Sequence, residues 1–396
     1  MPVRPKVHSL GPKPPFWRDR AKRALTFQLL LVAAVAAFLL YIIGNTQDNL
    51  AARGITTGFG FLTNTAGFGI VQSLIDYSSQ STYGRTFVVG LLNTLMVSAL
   101  GILAATIIGF TVGIARLSPN WLIARLANAY IEIFRNIPLL LQIFFWYFAV
   151  LRAMPSPRDS MTLGEVAFLN VRGLFLPEPQ FLSGFGFIPL AFGVAIVASI
   201  VLSIWNRRRH EATGKRLPAG WISLGLILGL PLLVLVVTGV PVTWDVPELR
   251  GFNFRGGFTV IPEFLALWLA LSIYTASFIA EIVRSGIQAI PHGQTEAAQA
   301  LSLPRNLVLR LVVVPQALRV IIPPLTSQYL NLIKNSSLAT AIGYPDLVSV
   351  FAGTTLNQTG QAIEVITMTM AVYLTISLLV SMFMNWFNAR VALVER

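Results

Sequence analysis

The chain has 396 residues, of which 55% are hydrophobic and only 11% charged, and its mean hydropathy is +0.70. Soluble domains carry about 25% charged residues, so this composition excludes a soluble globular protein and indicates an integral membrane protein. The formal net charge is +13, but no polar domain is present on which basic residues could gather, which argues against a nucleic-acid-binding protein.

Eight apolar segments are predicted to cross the membrane, because a hydrocarbon core of about 30 Å needs roughly 20 mostly apolar residues. They are residues 25–43, 87–115, 137–151, 187–205, 220–240, 262–283, 315–333 and 363–387. The third is short, although the amphipathic stretch NWLIARLANAYIEIF before it could extend it. The first is longer than the core of a signal peptide, which has about 7 to 15 apolar residues, and is therefore predicted to be a retained helix.

The distribution of basic residues predicts the orientation of these spans. With the N-terminus inside, most of the 29 Lys and Arg residues fall in cytoplasmic segments and most acidic residues fall outside. Loops rich in Lys and Arg stay in the cytoplasm, so both termini are predicted to be cytoplasmic. Residues 1–24 then form a basic, proline-rich cytoplasmic tail, and residues 25–84 hold the first helix and a periplasmic segment. The positive charge is explained by topology.

Two patterns within the spans predict local structure. Gly109 with Gly113, and Gly225 with Gly229, have the spacing that lets helices approach closely, although glycine is also simply common in membrane helices. Pro323 and Pro324 stand together inside the seventh span. Because proline removes an intrahelical hydrogen bond, a kink or break is expected there.

A polar segment, TEAAQALSLPRNLVLRLVVVP, interrupts this hydrophobic chain within residues 284–314. Its good helix formers predict a helix on the cytoplasmic face, with Thr295 as its cap and Glu296 in its first turn. An ordinary solvated loop is the alternative. An amphipathic helix offered to the groove of a cytosolic partner is the more specific hypothesis.

This segment resembles the EAA loop of the permease subunits of ATP-binding cassette (ABC) importers. Glu296, Ala297 and Ala298 match its Glu-Ala-Ala, and LVVVP matches its apolar ending with proline. Ser302 stands where the family has glycine. The resemblance implies that the segment couples the chain to an ATPase, through six residues. They are Glu296, Ala297, Ala298, Ser302, Arg305 and Arg310.

The flanking stretches are similar to the branch of this family that takes up polar amino acids. FRNIPLLLQ, IKNSSLA and YTASFIAEIVRSGIQAIPHGQ resemble its motifs, and the similarity covers about residues 85–151 and 262–390. It implies an all-α integral membrane protein with a MetI-like five-helix core, the transmembrane domain of a type I ABC importer, at residues 85–390. Three helices are additions, two of them an inserted pair at about 187–240. This enlarged layout resembles the Q-type permeases of the general L-amino acid systems of Gram-negative bacteria.

The resemblance also implies function and partners. Such a permease translocates L-amino acids of broad range, polar and charged ones included, across the bacterial inner membrane. Its expected partners are a cytosolic ABC ATPase dimer, a second, homologous permease subunit, a periplasmic amino acid binding protein and membrane lipid, without nucleic acid. The chain has no Gly-x-x-x-x-Gly-Lys-Ser/Thr phosphate loop. It is thus expected to be no enzyme and to bind no cofactor, ATP and magnesium being used by the partner ATPase.

Polar groups at membrane depth are candidates for the substrate path, since each is costly there unless it faces a cavity or a partner helix. Hydroxyls and amides can pair with either end of an amino acid, but each could instead make an interhelical hydrogen bond. The candidates are Asn93, Thr94, Gln142, Tyr274, Thr275, Ser277, Gln328, Asn331, Asn335 and Ser336.

Other kinds of function were weighed against the importer. A secondary carrier or channel that works without ATP would want a buried Asp, Glu or His in mid-span, and none lies in the central part of any predicted span. A membrane scaffold that recruits a cytosolic protein through residues 284–314 stays open on physical grounds. No metal site is predicted, because cysteine is absent and the three His are far apart in the sequence.

Overall fold

The protein is described by a computed structural model that covers residues 20–52, 54, 57–214 and 217–391. Most of the predicted basic tail, and residues 392–396, lie outside the described residues. The helices in chain order are α1 Arg20–Ala52, α2 Tyr83–Ala115, α3 Trp121–Asn136, α4 Leu139–Phe144, α5 Phe187–Thr213, α6 Ala219–Val237, α7 Pro262–Gln288, α8 His292–Ala300, α9 Arg305–Val308, α10 Val314–Asn335, α11 Leu356–Thr359 and α12 Ala362–Val391. Three π-helical segments extend this set, at Phe145–Leu151, Leu309–Val313 and Val348–Thr355.

Within the described residues, seven helices are long and apolar enough to cross a membrane, and a bent pair supplies an eighth span. Seven of the predicted spans are present as single helices, and the third corresponds to the bent pair; the helices at 187–205 and 315–333 extend eight to ten residues beyond their predicted ends. The bent pair corrects the expected form of the third span, because α3 and the helix Leu139–Leu151 meet at 105°. Ile137 precedes Pro138 and takes an extended conformation, as residues before proline do, so the helix cannot run straight through.

The core of the bundle is the packing of α2 on α7, with α4 and α10 around them. Gly109 and Gly113 of α2 face α7, as their spacing predicts: a Cβ on Gly109 would lie 2.6 Å from the Cβ of Ile279, and one on Gly113 would lie 2.6 Å from the carbonyl oxygen of Ala280. Gly225 of the other pair, like Gly229, has no atom of the described chain within 4 Å of such a Cβ. Only the first glycine pair therefore mediates close helix approach within this chain.

The seventh span is continuous where a kink or break was expected. Helix α10 runs unbroken through Pro323 and Pro324, and the helix from Arg305 to Ile342 counts as a single span of 38 residues. Both prolines lie on the exposed face of α10. The opposite face, with Ile321, Leu325 and others, stays packed in the core.

Eight short strands, which the sequence did not predict, form a β-module at one end of the bundle. A four-stranded antiparallel sheet has the order β1 (Met161–Leu163), β2 (Ala167–Asn170), β3 (Gly173–Leu176) and β8 (Phe258–Val260). Two antiparallel strand pairs complete it. They are β4 (Glu178–Phe181) with β5 (Val242–Asp245), and β6 (Glu248–Arg250) with β7 (Asn253–Arg255). The first four strands precede α5 and the last four follow α6, so the predicted helical pair is inserted into this module.

The β-module marks one side of the membrane bundle. Helix α5 begins after β4 and α7 begins after β8, so the far ends of both helices lie on the opposite side. Helix α8, with the candidate coupling residues, follows the far end of α7. The turn between α5 and α6 therefore lies on the same side of the bundle as α8.

Candidate functional site

The candidate coupling segment is folded as two short helices, α8 and α9, joined by a tight turn. Helix α8 begins at His292 after Pro291, which has an extended conformation and makes no side-chain cap. The predictions that Thr295 caps the helix and that Glu296 lies in its first turn are therefore wrong, because both residues lie further inside α8, whose first turn has no acidic residue. The fixed φ of proline sets the start of the helix instead.

The turn after α8 forms although serine stands at the position of the family's glycine. Ser302 has a left-handed φ of 57°, the conformation that ends many helices. The amide of Leu303 donates to the carbonyl oxygen of Ala298 at 3.3 Å, and that of Ser302 donates to the carbonyl oxygen of Gln299 at 2.8 Å. These two bonds are the Schellman arrangement, in which helix-end carbonyls are satisfied by a reversed chain.

We expect Ser302→Gly to stabilise this turn, because a residue with a Cβ in the left-handed region costs about 1 kcal/mol or more, a cost that glycine does not have. The thermal unfolding temperature of the purified protein should rise, and amide exchange in α8 should slow. The control is Ser285→Gly in right-handed helix α7, which should destabilise by about 1 kcal/mol. A shift of the same sign in both variants would contradict the role of the left-handed turn.

The candidate coupling residues form an exposed surface on this helical pair. Glu296, Ala297, Ser302, Arg305 and Arg310 are all exposed. Ala298, by contrast, is only 5% exposed and lies in the packed side of α8, so it holds the segment together. Leu301 at the tip of the turn is 77% exposed. Sequence reasoning passed over this leucine, which adds an apolar side chain to the exposed surface of the helical pair.

Helix α9 is joined to the membrane bundle without a break. It continues through the π-helical segment Leu309–Val313 into α10, and Val308 on its inner side is 2% exposed. Nearby, Glu281 of α7 accepts hydrogen bonds from Arg116 at the end of α2 and from Arg284. The exposed helical pair is thus built directly onto the ends of the core helices.

Two of the polar candidates in α2 attach a loop to the core. The Nδ2 of Asn93 donates to the carbonyl oxygens of Gln72 and Pro345, both at 2.8 Å. The hydroxyl of Thr94 accepts from the amide of Leu347 at 3.0 Å. Both side chains are fully buried, so their hydrogen bonds hold the segment that follows Gly343 against α2.

The candidates in α4 and α7 are also engaged within the chain. The Nε2 of Gln142 donates to the carbonyl oxygens of Phe134 and Ile137, both at 2.9 Å, and so satisfies the end of α3 at the 105° bend. The hydroxyl of Ser277 donates to the carbonyl oxygen of Tyr274 at 2.6 Å. Thr275 is 3% exposed, and Tyr274 is half-buried. These side chains lie inside the bundle rather than along an open surface.

The candidates in α10 lie toward the side of the helix that its own chain leaves open. Asn331 is exposed, Gln328 and Asn335 are half-buried, and Ser336 just beyond the helix is buried and donates to the carbonyl oxygen of Ile333 at 2.7 Å. Ser327 and Lys334, which sequence reasoning passed over, share the exposed face with Asn331. A polar face on a membrane helix does not face lipid, so it faces a path or another subunit.

A buried carboxyl group lies next to this region, between the span that ends at Ile342 and α12. Asp346 is fully buried; its Oδ1 accepts from the amide of Ser349 at 2.8 Å, and its Oδ2 accepts from the hydroxyl of Tyr373 at 3.5 Å. Burial raises the pKa of Asp346 to about 7, and its hydrogen bonds oppose the rise in part. Acidic residues were sought in the sequence only within the predicted spans, and Asp346 lies in the short segment between two of them.

Because Asp346 has a higher pKa in the folded chain than the ordinary 3.8, the wild type should lose stability as the pH rises from about 4 to about 7. Asp346→Asn keeps an oxygen acceptor for the amide of Ser349 but has no proton to lose. Its stability relative to wild type should therefore increase across that pH range. Thermal unfolding of both proteins over a pH series measures the difference, with the exposed Asp159→Asn as control. Parallel curves for Asp346→Asn and wild type would contradict this.

A metal centre is not part of the described site, since residues 20–391 with their gaps contain no group of three or more His, Asp or Glu that could hold an ion. The candidate site consists of the exposed helical pair α8 and α9 on one side and a set of amide, hydroxyl and ammonium groups on α10. Neither requires a covalent step.

Comparison with known proteins gives close relatives. Residues 217–393 match the family described as binding-protein-dependent transport system inner membrane component. The chain is 60% identical over 378 residues to an amino-acid ABC transporter permease protein, YhdX, of Escherichia coli (strain K12), covering 94% of this chain and 95% of that one. It is 56% identical to the general L-amino acid transport system permease protein AapQ of Rhizobium johnstonii, covering 96% and 94%.

A third relative and a solved structure complete the comparison. The chain is 43% identical to the glutamate/glutamine/aspartate/asparagine transport system permease protein BztB of Rhodobacter capsulatus, covering 96% of each chain. A crystal structure of an amino acid ABC transporter with histidines aligns with a TM-score of 0.45 at 20% identity, covering 78% of this chain and 95% of that one.

Proposed function

The chain belongs to the family of inner membrane permease subunits of ABC importers for amino acids, and from that premise we propose that it carries a broad range of L-amino acids from the periplasm to the cytoplasm. It is a multi-pass transport subunit without an ATPase site of its own. The breadth is supported by the relatives, since the Rhizobium protein is named for general L-amino acid transport and the Rhodobacter protein for two acidic amino acids and their amides.

The proposal rests on the exposed helical pair α8 and α9, because α9 continues into the membrane helix α10. In the proposed complex a cytosolic ABC ATPase dimer docks on this surface through Glu296, Ala297, Arg305 and Arg310, with Ala298 and Ser302 shaping it. The ATPase uses ATP and magnesium. Closure of the ATPase then displaces α9, and the continuous helix transmits that displacement to α10.

The orientation follows from the same assignment. The side that carries α8 is cytoplasmic, with both termini, and the β-module is periplasmic, where an amino acid binding protein delivers the substrate. Residues 85–390 act as the transmembrane domain, with the inserted pair at about 187–240, and a second, homologous permease subunit completes the path. The polar face of α10 is directed toward that subunit.

Within the path, we propose that the polar face of α10 contacts the amino acid. Asn331 and its neighbours Gln328 and Asn335 offer amide groups, and Lys334 offers an ammonium group for the carboxylate. Five candidates support the path by internal hydrogen bonds: Asn93, Thr94, Gln142, Ser277 and Ser336. Thr275 is buried in α7, and Tyr274 lies half-buried on the same helix.

The proposal is tested by reconstituting the complete importer in vesicles with ATP inside and measuring uptake of several radiolabelled amino acids. ATP-dependent uptake of acidic amino acids, their amides and neutral amino acids, increased by the binding protein, is expected. Uptake that proceeds equally without ATP would overturn the proposal. Uptake confined to one amino acid would overturn its breadth.

Asn331→Ala should lower uptake of several amino acids together, by about fivefold, since an amide hydrogen bond in a membrane contributes about 1 kcal/mol. The measurement is initial uptake rate in the same vesicles at equal protein density. Leu374→Ala, on the exposed apolar face of α12, is the control and should leave the rates unchanged. Equal rates for Asn331→Ala and wild type with every amino acid would place the path elsewhere.

A further inference from the structure

The hairpin of α5 and α6 stands apart from the rest of the bundle. In the described chain, the substantial packing of each helix is with the other, and α6 has no buried residue at all. The buried residues of α5 are small ones, Ala191, Ala195 and Ser199. The outer faces carry large exposed apolar side chains such as Leu190, Val197 and Leu232. In a bilayer these faces are covered by hydrocarbon.

The end of the hairpin on the side of α8, its foot, carries basic residues and two exposed tryptophans. Arg207, Arg208 and Arg209 follow one another at the end of α5, and Glu211 is the only acidic residue in the sequence from 187 to 237. Trp205 is 48% exposed and Trp221, at the start of α6, is 77% exposed. Tryptophan at this position lies at the level of lipid headgroups.

A cavity of about 290 Å³ opens between the two helices at this foot. Its lining consists of Ser203, Asn206, Arg207, His210 and Ala219. The wall is held in place by the side chain of Asn206, which donates to the carbonyl oxygen of Leu217 at 3.1 Å and accepts from its amide at 3.0 Å.

The polar groups of this cavity have capacity left for a ligand. The Nδ1 of His210 is buried and has no hydrogen-bond partner among the described residues. The Nε of Arg207 donates to Glu211 at 3.3 Å, but both side chains are largely exposed, at 83% and 64%, and such a pair is weak. A topological requirement for positive charge explains the arginines, but it does not explain a cavity lined by His210 between the two helices.

We propose that this cavity binds the headgroup phosphate of an anionic phospholipid. Arg207 at the rim and His210 in the wall would hold the phosphate oxygens, since charge-assisted hydrogen bonds to phosphate are strong. The acyl chains would continue along the exposed apolar faces of α5 and α6. Those faces favour a lipid over free inorganic phosphate, because a free ion uses only the polar foot.

The test uses the purified full-length importer and native mass spectrometry with phosphatidylglycerol, with phosphatidylcholine in parallel. The double variant Arg207→Gln/His210→Ala should retain phosphatidylglycerol at least about fivefold more weakly, the loss that one basic residue near an anionic lipid accounts for. Arg207→Lys, which keeps the charge, should retain it nearly as wild type does. Arg255→Gln, an exposed arginine of the β-module, is the matched control and should bind as wild type.

Two results would overturn the proposal. One is equal retention of phosphatidylglycerol by wild type and the double variant, both shown to be folded by their elution as intact complexes. The other is a competition result: inorganic phosphate that displaces the bound lipid at low concentration, or that alone shows the dependence on Arg207 and His210, would identify a free anion as the ligand. Persistence of lipid binding in excess phosphate, with loss in the double variant, supports the lipid.

Discussion

Glu296→Lys is expected to abolish ATP-driven uptake and the co-purification of the ATPase with this chain. Glu296 lies exposed on α8, in the segment proposed as the docking surface. Reversing a charge at a specific interface places like charges together and costs several kcal/mol, which weakens association about 100-fold or more. Uptake into vesicles and pull-down of the ATPase subunit, measured on the same preparation, report the two effects.

The controls separate docking from folding. Glu211→Lys makes the same change on the same side of the bundle, at an exposed glutamate of the α5–α6 turn region, and should leave uptake and co-purification intact. Glu296→Gln, which removes the charge without reversing it, should give an intermediate loss. If Glu296→Lys keeps full ATP-driven uptake, then α8 is not the coupling surface, even though the chain is a permease.

The second large effect is expected for Gly113→Val, which should prevent stable folding of the bundle. A Cβ at this position would lie 2.6 Å from the carbonyl oxygen of Ala280 and 2.8 Å from the Cβ of Val283. Neither atom is the end of a flexible side chain, so α2 and α7 must separate. Overpacking of a core costs about 1 to 3 kcal/mol even where side chains can adjust, and here backbone must move.

The chain supplies a matched control for this variant. Gly229→Val changes the second glycine of an identically spaced pair, but no atom of the described chain lies within 4 Å of the new Cβ. Yield of monodisperse protein and the thermal unfolding temperature should fall sharply for Gly113→Val and stay near wild type for Gly229→Val. Similar losses in both would show that the second pair also packs closely, against a partner subunit.

The membrane spans could be read from the sequence because the bilayer leaves the chain little choice. An apolar run of about 20 residues must form a helix, since no water is present to satisfy its backbone. The close approach at Gly109 and Gly113 agrees with their spacing, but Gly225 and Gly229 have the same spacing and no such contact in the described chain. The effect of proline was less predictable: Pro323 and Pro324 each remove a backbone donor from α10, and whether the helix continues through them depends on how firmly the rest of α10 is packed.

The β-module could not be read in the same way. Its strands have three or four residues each, too short for a clear alternation of polar and apolar side chains. Strand β3 pairs with β8, and Leu174 lies opposite Val260 with the whole α5–α6 hairpin between them in the chain. Local propensity carries no information about such a distant partner.

The hydrogen-bond partners of the polar candidate residues were the least predictable feature, for a related reason. A polar residue in an apolar span signals that it needs a partner, but the sequence does not show whether that partner belongs to the same chain. The side-chain amides of Asn93 and Gln142 donate to backbone carbonyl oxygens of their own chain, whereas the side chain of Asn331 is exposed. Lys334 was passed over, because it lies one residue beyond the predicted span 315–333.

The register of β4 and β5 has an evolutionary consequence. Phe181 lies opposite Val242 and Glu178 opposite Asp245, so the chain leaves for the extra membrane hairpin and returns at neighbouring positions, about 5 Å apart across one strand pair. A short turn could close that gap without shifting a single residue of α2, α7 or α10. The hairpin is thus a removable attachment, and descendants of one ancestor could gain, lose or replace it while keeping the same transport machinery.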